Sequence, residues 1–311
     1  MNVSKSKPNI VVICGPTGVG KTTVGIELAK RFHGEIISAD SMQIYRHMDI
    51  GTAKPTEAEQ AEVPHHMIDI IDPDEPFDAE TYSKMARKKI YSLDHQGLVP
   101  VVVGGTGFYI KALEYGLFDP GPSNPAIRDR LKVEAETKGA SFLYEKLSET
   151  DPDTAENIHP NDTYRIIRAL EVYEMTGKGI STHQNNHSFP DSPFRVLKIG
   201  LQMDREALYE RIDQRVDWML KAGLVDEVQD LLNKGYHHNL KSMQSIGYRH
   251  MADFIRKQIS WDEAVRTMKR DTRRYAKRQF TWFNADASVK WMEPGNLKDI
   301  QKIAERFLKF Q

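Results

Sequence analysis

Asn9-Ile-Val-Val-Ile-Cys14 is an almost uninterrupted apolar run, the pattern of a strand buried on both faces, and it stops at Gly15. The next apolar positions fall at helical spacing over 23–32, so a glycine-rich segment, 15–22, joins strand to helix. Glu35-Ile-Ile-Ser38 reads as a second strand ending at Ala39-Asp40-Ser41. Residues 81–95 predict a helix with Met85, Ala86, Ile90 and Leu93 as its apolar positions. Val99-Pro-Val-Val-Val103 is a third strand, and Gly104-Gly-Thr-Gly107 turns into another helix. Near-continuous apolar strands alternating with helices predict an α/β fold, a parallel sheet core covered by helices on both faces.

The pattern then changes. Asp119-Pro-Gly-Pro-Ser-Asn-Pro125 is a loop by composition, 126–178 is helical in spacing throughout, and 182–193 is a polar, proline-flanked connection. Arg195-Val-Leu-Lys-Ile-Gly-Leu201 alternates as a strand and is expected to rejoin the sheet. From Asp204 onward the chain reads as helices almost to its end. These segments predict a discontinuous P-loop core, 1–118 with 195–311, interrupted by a helical insertion domain at 119–194.

Composition narrows the class. The chain has 311 residues, 43 Lys plus Arg against 44 Asp plus Glu, 40% hydrophobic and 28% charged residues, which excludes a disordered, collagenous or coiled-coil protein. The apolar run near 99–105 is far short of the roughly 20 residues a membrane span needs, and residues 1–9 have no secretory pattern. A single cysteine, Cys14, suits a reducing compartment. A cytoplasmic protein without membrane association is expected. Its balanced charge leaves nucleic acid open as a partner, because a basic patch can sit on a neutral chain.

Gly15-Pro16-Thr17-Gly18-Val19-Gly20-Lys21-Thr22 fits the P-loop pattern in the required strand-to-helix context, the kind of loop that serves nucleotide and ATP binding. Its N–H groups can face a phosphate, the helix N-terminus adds partial positive charge, Lys21 reaches the outer phosphate, and the Thr22 hydroxyl can hold Mg2+. An ordinary NTPase would close a later strand with a metal-binding Asp, whereas 99–103 ends in glycines, which weakens that reading. Asp40 ends the second strand at the carboxyl edge of the sheet, on the same crevice as the loop. On position alone it could equally cap whatever follows. Seven basic residues crowd 266–278 with Asp271 the only acid, and Arg266, Arg270, Arg273 and Lys277 fall on one helical stripe. Such a run suits phosphate contacts, is more often a solvated face, and could also point inward at the phosphate site. The pairs His65-His66 and His237-His238 have no accompanying ligand spacing for a metal.

The motifs 15–22, Ser38-Ala-Asp-Ser-Met-Gln-Ile-Tyr45, Met48-Asp-Ile-Gly-Thr-Ala-Lys-Pro55, Val103-Gly-Gly-Thr-Gly-Phe-Tyr109, Asn161-Asp-Thr-Tyr-Arg165, Ser245-Ile-Gly-Tyr-Arg249 and Lys277-Arg-Gln-Phe-Thr-Trp282 follow in order along the whole chain. Together they make the chain resemble the bacterial tRNA dimethylallyltransferases, the tRNA isopentenyltransferase family. The resemblance implies transfer of a dimethylallyl group from dimethylallyl diphosphate to the exocyclic amine of the adenine 3′ of the anticodon in tRNA. The loop, Gly15 to Thr22, would then hold the diphosphate leaving group rather than ATP, with Mg2+ on Thr22 and with Arg215 as a further cation. Asp40 matches the general base, and Thr17 and Thr106 match positions lining the pocket. Asp40, Ser41, Met42 and Gln43 match the segment that reads the extruded base, the Gln43 amide pairing with an adenine edge. Arg128, Arg165, Arg168 and Arg249 match positions that bind the tRNA anticodon stem-loop, and a monomer is expected. Three alternatives stay open: a P-loop kinase of a small metabolite, a relative that prenylates free adenine nucleotide, and a nucleic-acid-binding module without activity. The last leaves the loop and Asp40 unexplained.

Overall fold

The structure is a computed structural model and describes residues 7–117, 124–186 and 191–309. Most of the predicted loop 119–125, and 187–190 of the predicted connection, lie outside the described residues. The chain divides into two compact units, Met1–Glu114 with Ser192–Gln311, and Tyr115–Asp191.

In the first unit the strands are β1 (Asn9–Cys14), β2 (Gly34–Ser38), β3 (His65–His66), β4 (Val99–Gly104), β5 (Arg195–Leu201) and β6 (Val289–Met292). They form one parallel sheet in the order β3-β2-β4-β1-β5-β6, flanked by helices. β1 is central because it is apolar at every interior position: Ile10 through Cys14 are all buried, pairing Val11 with Val101 on one side and Ile13 with Ile199 on the other. The four strands expected from apolar runs are present. The two edge strands β3 and β6 were not expected, and β6 breaks the all-helical reading of the C-terminal third. Neither carries an apolar run, since His65-His66 is half-buried and Val289–Met292 buries only its first residue.

The register brings three strand ends together. Cys14 pairs with Gly104, and Ser38 with Val103, so the segments leaving β1, β2 and β4 emerge side by side at the carboxyl edge. Gly104 must be glycine here, because a Cβ would lie 2.1 Å from the Ala39 carbonyl oxygen. The helix Lys21–Arg31 leaves the loop with Val24, Ile26, Leu28 and Ala29 buried against the sheet core. Later in the chain, the helices Arg205–Lys221, Leu224–Asn233, Tyr248–Ile255 and Trp261–Asn284 complete the surroundings of that edge.

The second unit is helical, as expected: Pro125–Lys138, Ala140–Thr150, Pro152–Glu156, Thr163–Thr176 and Ile180–Asn186. Leu131, Leu143, Leu147, Ile166 and Leu170 form its own core. The buried carboxylate of Glu171 accepts hydrogen bonds from Arg128 Nε (2.8 Å), Arg168 (2.7 Å) and the Asn124 N–H (2.7 Å).

Candidate active site

A cavity of about 290 Å³ opens at the carboxyl edge of the sheet, within the first unit. It is lined by Thr17, Gly18, Gly20, Lys21 and Thr22 of the glycine loop, by Asp40 and Gln43 after β2, and by Arg211 and Arg215 of the helix 205–221. Val19 of the loop turns the other way and is buried in the core, anchoring the backbone beneath its exposed amides.

The cavity is built for a polyanion. Lys21 donates to the Pro16 carbonyl at 2.7 Å, and its ammonium group is pushed down to about 8 by burial and then by the neighbouring Arg215 guanidinium, with Asp40 opposing. Burial also lowers Arg215, and Arg211 adds repulsion, again with Asp40 opposing. The acids one would pair with Arg215 are engaged elsewhere: Asp213 holds Arg273 and Asp217 holds Lys269, each at 2.6 Å. Three cations and one carboxylate therefore share a small space, an arrangement that a multiply charged anion relieves.

Asp40 Oδ1 accepts the N–H of Met42 at 2.9 Å and that of Gln43 at 3.4 Å, closing a tight turn after β2 rather than capping a helix. Its second oxygen accepts no hydrogen bond among the described residues, leaving it available to take a proton. Thr106 lies next to the cavity rather than among the residues lining it: its hydroxyl accepts the Ser41 N–H at 3.0 Å and so ties the Asp40 turn to the segment after β4. Gln43 lies on the wall with its amide already occupied, accepting from Ser38 Oγ at 3.0 Å and donating to the carbonyls of Thr52 (3.4 Å) and Ala53 (3.2 Å).

Sequence reading did not single out Gln279, Tyr275, Arg211 or Thr52, all of which line the cavity. Gln279 is buried and bridges two site segments: its Oε1 accepts the Thr17 N–H at 2.8 Å and its Nε2 donates to the Gly105 carbonyl at 2.9 Å. Tyr275, whose hydroxyl is pushed up by burial, lies within hydrogen-bonding reach of Thr106 and Gln279. The available signal was the uncharged pair Tyr275 and Ala276 interrupting the basic run, with Gln279 just after it, which marks the inward face of the helix 261–284. None of the run's cations lines the cavity, which corrects the inward alternative. Arg266 pairs with Glu263, Lys269 and Arg273 with the acids of helix 205–221, and Arg270 with Asp271.

The arginines matched to tRNA binding lie outside the cavity. Arg249 pairs with Asp271, whose carboxyl is held far below the usual range by Arg270 and then Arg249. Arg128 and Arg168 share Glu171, and Arg165, the most exposed of the four, pairs with Asp162 at 3.3 Å. Cys14 is a core thiol, pushed up to about 12 by burial. Among the described residues no group of three or more His, Cys, Asp or Glu could hold a metal ion, and no helix is long and apolar enough to cross a membrane.

Residues 43–286 match the family described as IPP transferase. The chain is 53% identical to a tRNA dimethylallyltransferase of Desulfosudis oleivorans, covering 98% of both proteins. It is similar in structure to the full-length tRNA isopentenylpyrophosphate transferase of Bacillus halodurans, with 41% identity, a TM-score of 0.73 and 97% of each chain covered. A eukaryotic dimethylallyltransferase acting on tRNA gives a TM-score of 0.83 at 28% identity, over 97% of this chain and 79% of that one.

Proposed function

This chain belongs to the IPP transferase family, and on that premise we propose that it transfers the dimethylallyl group of dimethylallyl diphosphate to the exocyclic amine of the adenine 3′ of the anticodon in tRNA. The observation that carries the reading is one cavity lined together by the glycine loop, Lys21, Arg211, Arg215 and Asp40, one of whose carboxylate oxygens accepts no hydrogen bond among the described residues. Breaking the allylic carbon–oxygen bond puts the electron pair on the diphosphate. Lys21, Arg215 and the loop N–H groups, already fixed in place, stabilise that charge without reorganising. The adenine amine is a weak nucleophile because its lone pair is delocalised into the ring. As its bond to the allylic carbon forms, Asp40 takes the N–H proton.

The donor set fits Mg2+, a hard ion that keeps waters and binds through few protein oxygens together with substrate phosphates. Thr22 would hold it by its hydroxyl, and the ion would neutralise further charge on the leaving group. The acceptor adenine must be extruded from its stack to enter so narrow a space. Asp40 and Gln43 are the members of the 40–43 segment on the wall it would meet, Ser41 and Met42 not lining the cavity, and Arg128, Arg165, Arg168 and Arg249 are assigned to the tRNA.

Labelled dimethylallyl diphosphate incubated with Mg2+ and unmodified tRNA, AMP, or ATP with candidate acceptors tests the reading. Label in tRNA alone is expected. Label in AMP points to the free-nucleotide relative, and phosphoryl transfer from ATP to a kinase; either result overturns the proposal.

A further inference from the structure

Glu227 lies outside the cavity wall, on the helix Leu224–Asn233, yet it is the acid with the fullest set of donors near it. Its Oε2 accepts the N–H groups of Asp49 (3.0 Å) and Ile50 (2.8 Å), and its Oε1 accepts the Gly51 N–H (3.2 Å) and the Tyr248 hydroxyl (2.5 Å). Four donors come close to exhausting a carboxylate's lone pairs, so the group has no capacity for a ligand. Burial, and then Glu227 itself, push the Tyr248 hydroxyl well up, which keeps it protonated as a donor. The turn lies flush on that ring, since a Cβ at Gly51 would sit 2.4 Å from Tyr248 Cε2.

The next two residues carry this constraint into the cavity. Thr52 and Ala53 are on its wall, and their carbonyls are the two acceptors of the Gln43 amide. Ala53 is held at a φ of 46°, in the left-handed region that a residue with a Cβ avoids at a cost of about 1 kcal/mol or more. Ala53 and Lys54 close the turn by donating to the carbonyls of Ile50 and Asp49, both at 3.0 Å. A carboxylate that fixes three successive amides can sustain such a conformation; solvent, which would not fix their directions, can not.

We propose that Glu227 is a positioning residue for the acceptor side of the reaction: it clamps the 49–53 turn so that the carbonyls of Thr52 and Ala53 hold the Gln43 amide beside Asp40. The inference rests on the reading in which Gln43 meets the adenine. It predicts a division of labour, because the diphosphate side, Lys21 and Thr22, is built on the opposite wall and does not depend on Glu227.

In the full chain, Glu227→Ala is expected to lower kcat/KM for tRNA roughly ten- to hundredfold, the size expected for losing charge-assisted hydrogen bonds, mainly through KM. Affinity for dimethylallyl diphosphate should stay within about twofold, and Glu227→Gln, which keeps one acceptor, should recover part of the loss. In a Gln43→Ala background the same substitution should cost little more, since two residues acting through one contact are not additive. A merely structural role would add independently. Amide NMR reads the same claim without activity: the side-chain amide of Gln43 and the backbone amides of 49–51 shift in Glu227→Ala, while those of Lys21 and Thr22 do not. Additive losses, equal damage to diphosphate binding, or unmoved Gln43 resonances overturn the proposal. If Glu227→Ala does not yield folded protein, Tyr248→Phe carries the same comparisons at smaller size. If the wild-type chain fails to label tRNA, the proposed function falls, and the Gln43 resonances alone decide whether Glu227 positions it.

Discussion

Lys21 and Asp40 attract each other across a cavity that otherwise repels protons from its cations, and each yields a direct prediction. The Lys21 ammonium, pushed down to about 8, gains a polyanionic neighbour when diphosphate binds, which raises its affinity for a proton. Binding therefore takes up protons at pH values near and above 8, and diphosphate affinity weakens as pH rises through that value. Calorimetric titration in buffers of differing ionisation enthalpy measures the uptake, which should vanish in Lys21→Met. Asp40→Asn keeps an oxygen for the Met42 N–H but removes the proton acceptor. It should lower kcat about 10²–10⁴-fold, the usual range for a general base, while tRNA binding measured by filter retention persists. Residues such as Lys21, Thr22 and Asp40 were legible in sequence because each sits within a few positions of a strand end, where local pattern fixes place. Arg211, Thr52 and Gln279 were not, because their positions depend on helices and turns brought in from far along the chain.

At the level of elements, the helix Trp261–Asn284 shows how a strong surface pattern can conceal an inward role. Its seven cations dominate the sequence, but the residue that matters most to the cavity is neutral: Gln279 ties the loop after β1 to the turn after β4. Gln279→Leu fills the space and satisfies neither partner, leaving the Thr17 N–H and Gly105 carbonyl unpaired. Diphosphate affinity is expected to fall roughly ten- to hundredfold by the cost of such groups, read as a rise in Kd at unchanged secondary structure. The strands divide in a related way. β1, β2, β4 and β5 are buried enough to need apolar runs and so announced themselves, whereas β3 and β6 close the sheet's edges with two and four residues whose pairing is decided by backbone position.

Across the whole molecule charge is balanced, and the arginines matched to tRNA binding are each paired with an acid, so a phosphate contact costs a different amount at each. Arg165 is exposed and, among the described residues, pairs with Asp162 alone, at its own helix start, whereas Arg128 is tied to the buried Glu171. Removing Arg165 is expected to reduce the slope of log affinity for tRNA against log salt by about one. Arg128→Ala should change that slope less and instead lower the thermal stability of the helical unit, because Glu171 loses a partner. The helical nature of that unit and the α/β class of the other were readable from periodicity; which arginines remain free was not, since a pairing acid such as Glu171 lies 43 residues from its Arg128 partner.

The bridge made by Gln279 also has a bearing on synthesis. The glycine loop after β1 leaves the ribosome long before the side chain that fixes its Thr17 amide, which is separated from it by 262 positions. A nascent chain thus carries an incompletely fixed loop until residue 279 has been made and has emerged. Stalled chains ending before residue 279 should ignore dimethylallyl diphosphate, while the 311-residue chain stalled on an added linker long enough to bring the helix 261–284 out of the exit tunnel should retain it.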